Sequence, residues 1–268
     1  MEEALHGTPR YCEFVRLDAG MARMPDETTI LRFRHLLEEH ILSIQLLATI
    51  NATLIAKDLM LKTVTVVDAT LIAAPSSTKN STGERDPKMH QIKKGNQWSF
   101  GMKAHIGVDA DSGLVHTVIG TEANVSDAAQ GHCLPHGKET VVFADAGYLG
   151  AIKRPETTGV DWHVAMQPGK RRALKKQSTW GSLLDKTEQV KAIVRAKVEH
   201  PFRVIKCQFG FTKVRYIGLA KNTAQPMKLF ALSNVWMARR HLLGERGRVR
   251  VHRGQEPDRG PKRQCETA

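Results

Sequence analysis

Two short apolar runs, each ended by an aspartate, restrict this chain more than any other feature of its sequence. Residues 64–67 read Val-Thr-Val-Val before Asp68, and residues 141–144 read Val-Val-Phe-Ala before Asp145. Short runs rich in β-branched and aromatic residues are typical of buried strands. We therefore expect a sheet with both aspartates at strand ends, where the ligand sites of open α/β sheets collect.

The residues between these runs predict a β-hairpin. A polar stretch over 76–96 comes first, and apolar residues then alternate strictly from Trp98 to Val108, as in a half-buried strand. A turn over 109–113 leads into a partner strand over 114–119. The sequence thus predicts an antiparallel pair directly after the first strand.

The order of elements predicts a fold class. The remaining segments are a mostly helical stretch over 126–138, strands over 140–145 and 160–166, and a helical pattern from Leu184. Strand, hairpin, helix, strand, helix is the order of a ribonuclease-H-like mixed β-sheet flanked by helices, which we predict for residues 61–238. The ends of its first and fourth strands would bring Asp68 and Asp145 together.

The two ends of the chain have a different character. Residues 1–60 predict a helical N-terminal region, with Asp26 capping a helix whose apolar side chains recur at helical spacing as far as Ile44. This region is either an amphipathic hairpin packed on the core or a lobe that contacts DNA or dimerises. Residues 239–268 are rich in Arg, Gly and Pro and predict a disordered basic tail.

The charge balance favours a polyanionic partner. The chain has 40 Lys and Arg against 27 Asp and Glu, a formal charge of +13, which attracts nucleic acid through steering and counterion release. The densest basic segment, over 168–176, is either a solvated loop or a phosphate-binding patch, with Trp180 nearby for base stacking. Its candidate DNA contacts are Lys170, Arg171 and Arg172.

Other classes of protein are disfavoured. No apolar run approaches the ~20 residues of a membrane span, and the acidic start does not resemble a secretory signal, so we expect a cytoplasmic protein. The four cysteines are scattered singly and indicate neither a zinc site nor a disulfide framework. On the hairpin, Lys103 is either an exposed strand residue or a further DNA contact.

A third acidic residue completes a metal-ligand pattern. Glu199 lies one helical turn after Arg195, and Lys206 follows beyond Pro201. Alone, each acid could be a cap, a turn residue or half of a surface ion pair. Together with Asp68 and Asp145, Glu199 supplies the carboxylate oxygens that Mg²⁺ prefers, and two such ions about 4 Å apart can clamp a phosphoryl transfer.

Several ordered motifs resemble those of a known family. They are Pro25 to Arg34, Val67-Asp68-Ala69-Thr70, Met89-His90-Gln91, Lys94 to Trp98, Phe100 to Asp109, Asp145-Ala146-Gly147-Tyr148 and Val198 to Lys206. Over most of residues 20–240 the chain resembles the DDE transposases of bacterial insertion sequences, of the insertion-sequence-five type. The signature of that family is Tyr, two residues, Arg, three residues, Glu, six residues, then Lys or Arg. Arg195, Glu199 and Lys206 fit it, and Ala192 replaces the tyrosine.

The resemblance implies an activity and its residues. Asp68, Asp145 and Glu199 would be catalytic and would hold two Mg²⁺ or Mn²⁺ ions, with Asp68 bridging both. Arg195 and Lys206 would neutralise phosphate charge. The protein would cleave DNA at the terminal inverted repeats of its element and join the freed strand to target DNA, as a homo-oligomer on DNA.

Two other functions fit the same sequence. One is a non-catalytic DNA-binding derivative that regulates transposition, although a pure binder has no need of three carboxylates. The other is a ribonuclease-H-like nuclease without transposition. Because relatives usually carry an additional N-terminal helical segment, we also expect this chain to be a shortened copy that nicks or binds DNA without transposing.

Overall fold

The described residues form one mixed sheet and a set of helices. The computed structural model describes residues 3, 7–17, 24–60, 63–79, 81 and 83–244, which contain six strands in one sheet. The strands are β1 (Val64–Ala73), β2 (His90–Lys94), β3 (Gln97–Asp109), β4 (Val115–Glu122), β5 (Val141–Ala144) and β6 (Asp161–Val164). The helices are α1 (Pro9–Val15), α2 (Glu27–Glu39), α3 (Leu42–Ile55), α4 (Asp127–Gln130), α5 (Pro168–Arg172), α6 (Thr179–Arg195), α7 (Glu199–Arg203) and α8 (Leu219–Gly244).

The topology is mixed. β3 pairs antiparallel with β1 on one edge and with β2 and β4 on the other, while β5 runs parallel to β1 and β6 runs parallel to β5. The first strand therefore lies between the hairpin and β5 at the centre of the sheet. This arrangement confirms the predicted fold class, a mixed sheet of ribonuclease-H type flanked by helices.

Both faces of the sheet are covered. The adjacent residues Val66 and Val67 are both fully buried, and they belong to separate core clusters because neighbouring side chains of a strand point to opposite faces. Val66 packs with side chains from α3, α7 and α8, including Phe202 and Phe230. Val67 packs with Leu134 and with residues at the end of β5.

This double cover corrects the prediction for the hairpin. The alternation in β3 predicted one exposed face, yet every residue from Gly101 to Asp109 is buried. Its polar side chains, such as His105, are enclosed on the second face rather than solvated. A strand with a neighbour on each edge and helices on both faces has no solvent-facing side, whatever its alternation predicts.

Three further elements differ from the prediction. β1 continues to Ala73, so Asp68 lies inside the strand and not at its end. The polar stretch over 76–96 contains β2, which pairs with the start of β3. The basic segment begins with a short helix, α5, whose first residue Pro168 suits a helix N-terminus.

The described part of the N-terminal region forms the separate helices α1, α2 and α3, so the apolar side chains that recur as far as Ile44 do not lie on one helix. Asp26 caps α2 by accepting a hydrogen bond from the Thr29 amide at 2.7 Å, as predicted. The helix ends before Ile41, whose φ of 52° lies in the left-handed region, and α3 follows. α2 buries none of its residues, whereas α3 packs on α8 through an Asn51–Asn234 hydrogen bond of 2.8 Å.

The last two long helices also depart from expectation. α6 begins at Thr179, before the predicted start of the helical pattern at Leu184; its apolar residues Val190 and Ile193 are 57% and 71% exposed, and the side chains that it buries include Asp185 and Glu188. α8 continues without a break across the predicted domain boundary at 239 as far as Gly244. The remainder of the predicted tail, 245–268, lies outside the described residues, and the domain limits stay predictions.

Candidate active site

Strand pairing brings Asp68 and Asp145 level with each other. β5 pairs with β1 from Val64↔Val141 to Val67↔Ala144 and then ends. Asp68 and Asp145 are the next residues of the two parallel neighbours, so they emerge side by side where the pairing stops. β1 itself continues because its other edge is still paired with β3. Asp68 therefore lies inside β1, at the point where the edge of β1 that faced β5 becomes free.

A tight turn fixes Asp145. Its side chain accepts a hydrogen bond from the Gly147 amide at 2.9 Å and caps a short 3-10 turn over Ala146–Tyr148. A Cβ at position 147 would lie 3.0 Å from Asp145 Oδ1 and 3.2 Å from Asp127 Oδ2. A larger residue at this position would therefore displace these two carboxylates by a few tenths of an ångström, and glycine lets both lie close to the turn.

Glu199 and Arg195 approach from the helical side. α6 ends at Arg195, a 3-10 turn follows, and α7 begins at Glu199, so the predicted single helix changes its winding between them. Glu199 is exposed. The Arg195 Nε atom is buried and has no hydrogen-bond partner in the described part of the chain. Its N–H group can therefore donate a hydrogen bond to an oxygen of a bound ligand.

The pKa of Asp68 records how these groups converge. Burial is the largest cause raising the pKa of the Asp68 carboxyl to about 7, and the negative charges of Asp145 and Glu199 raise it further. The Ala69 amide, which donates to Asp68 at 2.7 Å, and the Arg195 charge act in the opposite direction. All three predicted carboxylates and the predicted arginine therefore share one electrostatic environment.

Lys206 reaches the same face of the sheet. Its Nζ donates to the Thr70 hydroxyl, and Thr70 is two residues beyond Asp68, so both side chains point to one face of β1. Pro201 lies within α7, after which the chain forms a turn of π-helix over Val204–Gln208. Lys206 therefore stays on the side of β1 that carries Asp68, although the helix changes from α to π geometry before it. The sequence alone could not establish this position.

The carboxylates suit a divalent cation but do not form a closed ligand shell. Within the described ranges, no group of three Asp, Glu, His or Cys side chains is already arranged to hold a metal ion. Asp68 and Asp145 each accept a local backbone hydrogen bond instead. The negative charges of Asp145 and Glu199 nevertheless raise the pKa of Asp68. A bound Mg²⁺ or Mn²⁺ ion would offset this repulsion, and carboxylate oxygens are the ligands that these ions prefer.

The predicted DNA contacts are in different situations. Lys103 was expected at the surface, but its ammonium is buried and donates to Val125 O at 2.7 Å and to Asp127 at 2.9 Å. In the basic segment, Arg171 pairs with Asp185 at 3.0 Å. Lys170 and Arg172 are exposed on α5.

Sequence reasoning missed a buried network beside Asp145. Lys103 holds Asp127, and the fully buried His105 lies 3.9 Å from the same Asp127 oxygen; burial lowers the pKa of His105 to about 4. The hydroxyl of buried Tyr148 has no hydrogen-bond partner among the described residues, and the charges of Asp127 and Asp68 add to burial in raising its pKa. Little in the sequence indicated this role for Asp127, because an acidic residue in the first turn of a helix is usually explained by the helix dipole.

Comparison with known proteins agrees with this geometry. A family model described as a transposase DDE domain matches residues 60–235, and the chain belongs to this family of DDE transposases. No solved structure matches the chain. Transposition, DNA substrates and metal-dependent nuclease or transferase chemistry are properties of the family. In the described residues, no helix is long and apolar enough to cross a membrane.

Proposed function

We propose that this DDE transposase belongs to the insertion-sequence-five type and has the catalytic chemistry to cut and join the ends of its own element. It cleaves phosphodiester bonds at the element ends and transfers the freed strand to target DNA. The observation that carries the proposal is the environment of Asp68, whose pKa is raised by burial and then by its neighbours Asp145 and Glu199. Such a cluster is unfavourable without a cation or substrate, which is typical of a functional site.

In this proposal Asp68, Asp145 and Glu199 would hold two Mg²⁺ or Mn²⁺ ions. When bound, the ions supply Lewis-acid activation of the nucleophile and stabilise the leaving oxygen. With the ions bound, the three carboxylates would fix where the scissile phosphate lies, beside the free edge of β1. Arg195, whose Nε has no partner among the described residues, and Lys206 would bind phosphate oxygens and offset their charge.

Two reactions follow at the same carboxylates. Water attacks phosphorus at the element end, the P–O3′ bond breaks, and the leaving oxygen takes a proton to give a 3′-hydroxyl and a 5′-phosphate. The 3′-hydroxyl then attacks a phosphodiester of target DNA, forming a new ester and releasing the target's 3′-oxygen. Both reactions have the same in-line geometry, so one set of residues can serve both.

DNA binding outside the carboxylates is proposed to use the exposed basic residues. Lys170 and Arg172 of α5 would contact phosphate, while Arg171 stays partly engaged with Asp185. Lys103 is reassigned from a DNA contact to the support of Asp127 because its ammonium is buried. Homo-oligomerisation on paired element ends belongs to the same proposal.

The test is metal-dependent cleavage by the purified chain on duplexes that carry its element ends. We expect Mg²⁺-dependent nicks at the element boundary that leave 3′-hydroxyls, and their loss in Asp145→Asn and Glu199→Gln. The matched control is Glu156→Gln, an exposed carboxylate on another loop. Tight binding of the ends without any cleavage in Mg²⁺ or Mn²⁺ would favour the alternative, a non-catalytic regulator. Cleavage without strand transfer would favour a nuclease.

A further inference from the structure

A basic groove lies partly on the segment that carries Glu199, and none of the three site carboxylates lines it. It is a cleft of about 570 Å³ between the β3–β4 turn, α7 with its flanking turns, and the C-terminal half of α8. The residues that give it its character are Lys197, His200, Arg203, Trp236, Arg239 and Arg240. We call these six residues the basic groove. It collects cations from two helical segments that are distant in sequence.

The cations of the basic groove are not neutralised within the described structure. Lys197 donates to the backbone oxygen of Asp111 at 3.4 Å, and Arg239 donates to the backbone oxygen of Trp236. Among the described residues no ion pair joins a lysine or arginine of the groove to a carboxylate, and no carboxylate side chain lines the cleft. Concentrated positive charge without internal partners favours an external polyanion.

One arginine is held in place. The Arg239 guanidinium lies 3.9 Å from the centre of the Trp236 ring, within the range of a cation–π contact. Stacking on an aromatic ring restricts the guanidinium before a ligand arrives, which reduces the entropy lost on binding. Arg203 and Arg240 are exposed beside it.

Helix position favours part of this charge. Arg239 and Arg240 lie near the C-terminus of α8, and Arg203 lies in the last turn of α7, where cations are favoured by the helix dipole. Lys197 belongs to the 3-10 turn before α7. Two separate elements therefore contribute cations to one cleft.

The basic groove lies within reach of a DNA duplex bound at the carboxylates. Thr65 pairs with Asp109, so the β3–β4 turn lies at the start of β1, three residues before Asp68. At ~3.3 Å per residue this is about 10 Å along the strand. One helical turn of duplex spans about 34 Å, so a single duplex can extend over both places.

We propose that the basic groove binds the sugar-phosphate backbone of double-stranded DNA away from the scissile phosphate. The proposal rests on the proposed function, since a transposase that cuts an element end must also hold the duplex beside it. Arg203, Arg239 and Arg240 provide guanidinium forks that match phosphate oxygens. The groove contributes affinity and register, and the carboxylates contribute the reaction.

The experiment measures binding of the full chain to a fluorescent DNA duplex in EDTA across a range of salt concentrations. In R203Q/R239Q/R240Q we expect the slope of log K against log salt to fall by about 3, at ~0.9 per phosphate contact, and affinity at 0.1 M salt to fall on the order of 10²-fold. The milder R203Q/R240Q leaves the Arg239–Trp236 stack intact, and its slope should fall by about 2.

The control removes the same charge elsewhere. K138Q/R154Q/K186Q replaces three exposed basic residues on three separate segments outside the N-terminal region, and we expect it to change the salt slope by less than about 1. Unfolding temperatures close to wild type establish that each variant is folded. An equal loss in groove and control variants, an unchanged slope in both groove variants, or tighter binding to a matched RNA duplex would overturn the proposal.

Two results separate this inference from the proposed function. Binding in EDTA does not depend on cleavage, so a groove-specific loss of affinity supports the basic groove even in a chain that never cuts DNA. Conversely, normal metal-dependent cleavage together with wild-type affinity in R203Q/R239Q/R240Q would leave the proposed activity intact and refute the groove alone.

Discussion

The carboxylate site and the basic groove are built in opposite ways. Asp68 and Asp145 come from neighbouring strands of the sheet, where pairing fixes their separation and burial raises the pKa of Asp68. Arg203 and Arg240 are exposed side chains on helices, held by no strand pairing. Site chemistry needs a fixed geometry, whereas phosphate attraction tolerates movement because charge interactions act over several ångströms.

This difference predicts that cleavage and DNA affinity can be lost separately. The largest effect should be the loss of cleavage in Asp68→Asn. Removing one anionic ligand while keeping its shape should lower metal-dependent cleavage roughly 10³-fold, since several kcal/mol of transition-state stabilisation are lost. DNA affinity should stay within about twofold because it comes mainly from phosphate contacts. Single-turnover cleavage and anisotropy titration measure the two quantities.

R203Q/R239Q/R240Q should give the reverse pattern, with weak binding and near-normal cleavage at saturating DNA. The control for Asp68→Asn is Asp161→Asn, an exposed acid on β6. If Asp68→Asn retained cleavage, or lost affinity as strongly as the groove variant, the division between the two regions would fail.

The second prediction concerns the buried support of the site. Lys103→Met should destabilise the fold by about 3 kcal/mol, because it leaves the partly buried Asp127 without its cation. Lys170→Met, on exposed α5, should change stability by less than about 0.5 kcal/mol. Urea unfolding measures both. A stable Lys103→Met that loses DNA affinity would restore the surface role first expected for Lys103.

The third prediction is a dependence of stability on pH in EDTA. The pKa of Asp68 is about 7 in the folded protein against 3.8 for an unperturbed aspartate, so the folded state keeps a proton that the unfolded state releases. The resulting stabilisation is full at low pH and is lost as the pH rises through 7. Relative to Asp68→Asn, the wild type should lose about 2 kcal/mol between pH 4 and pH 8, allowing for partial exposure.

Thermal unfolding of both proteins across that pH range measures the difference. Adding Mg²⁺ at pH 8 should restore stability to the wild type alone, because a cation relieves the repulsion among the carboxylates. Parallel pH profiles of wild type and Asp68→Asn would contradict the raised pKa.

The smallest predicted effect is that of Gly147→Ala. The added Cβ would approach Asp145 Oδ1 to 3.0 Å and should displace that carboxylate by a few tenths of an ångström. We expect cleavage to fall about tenfold with unchanged DNA affinity, since a small misplacement affects the reaction and not the phosphate contacts. Gly244→Ala, whose Cβ would meet no described atom within 4 Å, is the control.

Much of the fold followed from local patterns. Apolar runs predicted β1 and β5, because buried strands need consecutive apolar residues. Asp26 predicted the start of α2, because a helix N-terminus favours an acidic capping residue. β2 was missed since its residues, such as Lys93, are polar. The continuation of β1 beyond Asp68 was also missed, because its pairing with β3 is decided by a partner distant in the chain.

The sequence by itself determined the order of elements, the excess of positive charge and the three carboxylates, since these depend on residue types and their spacing. Only the tertiary structure decided which charges are buried and which are free. It enclosed Lys103 with Asp127, ended the β5 pairing level with Asp68, and gathered Arg203 and Arg240 into one groove. Burial and long-range pairing depend on residues far apart in the chain, and no local pattern records them.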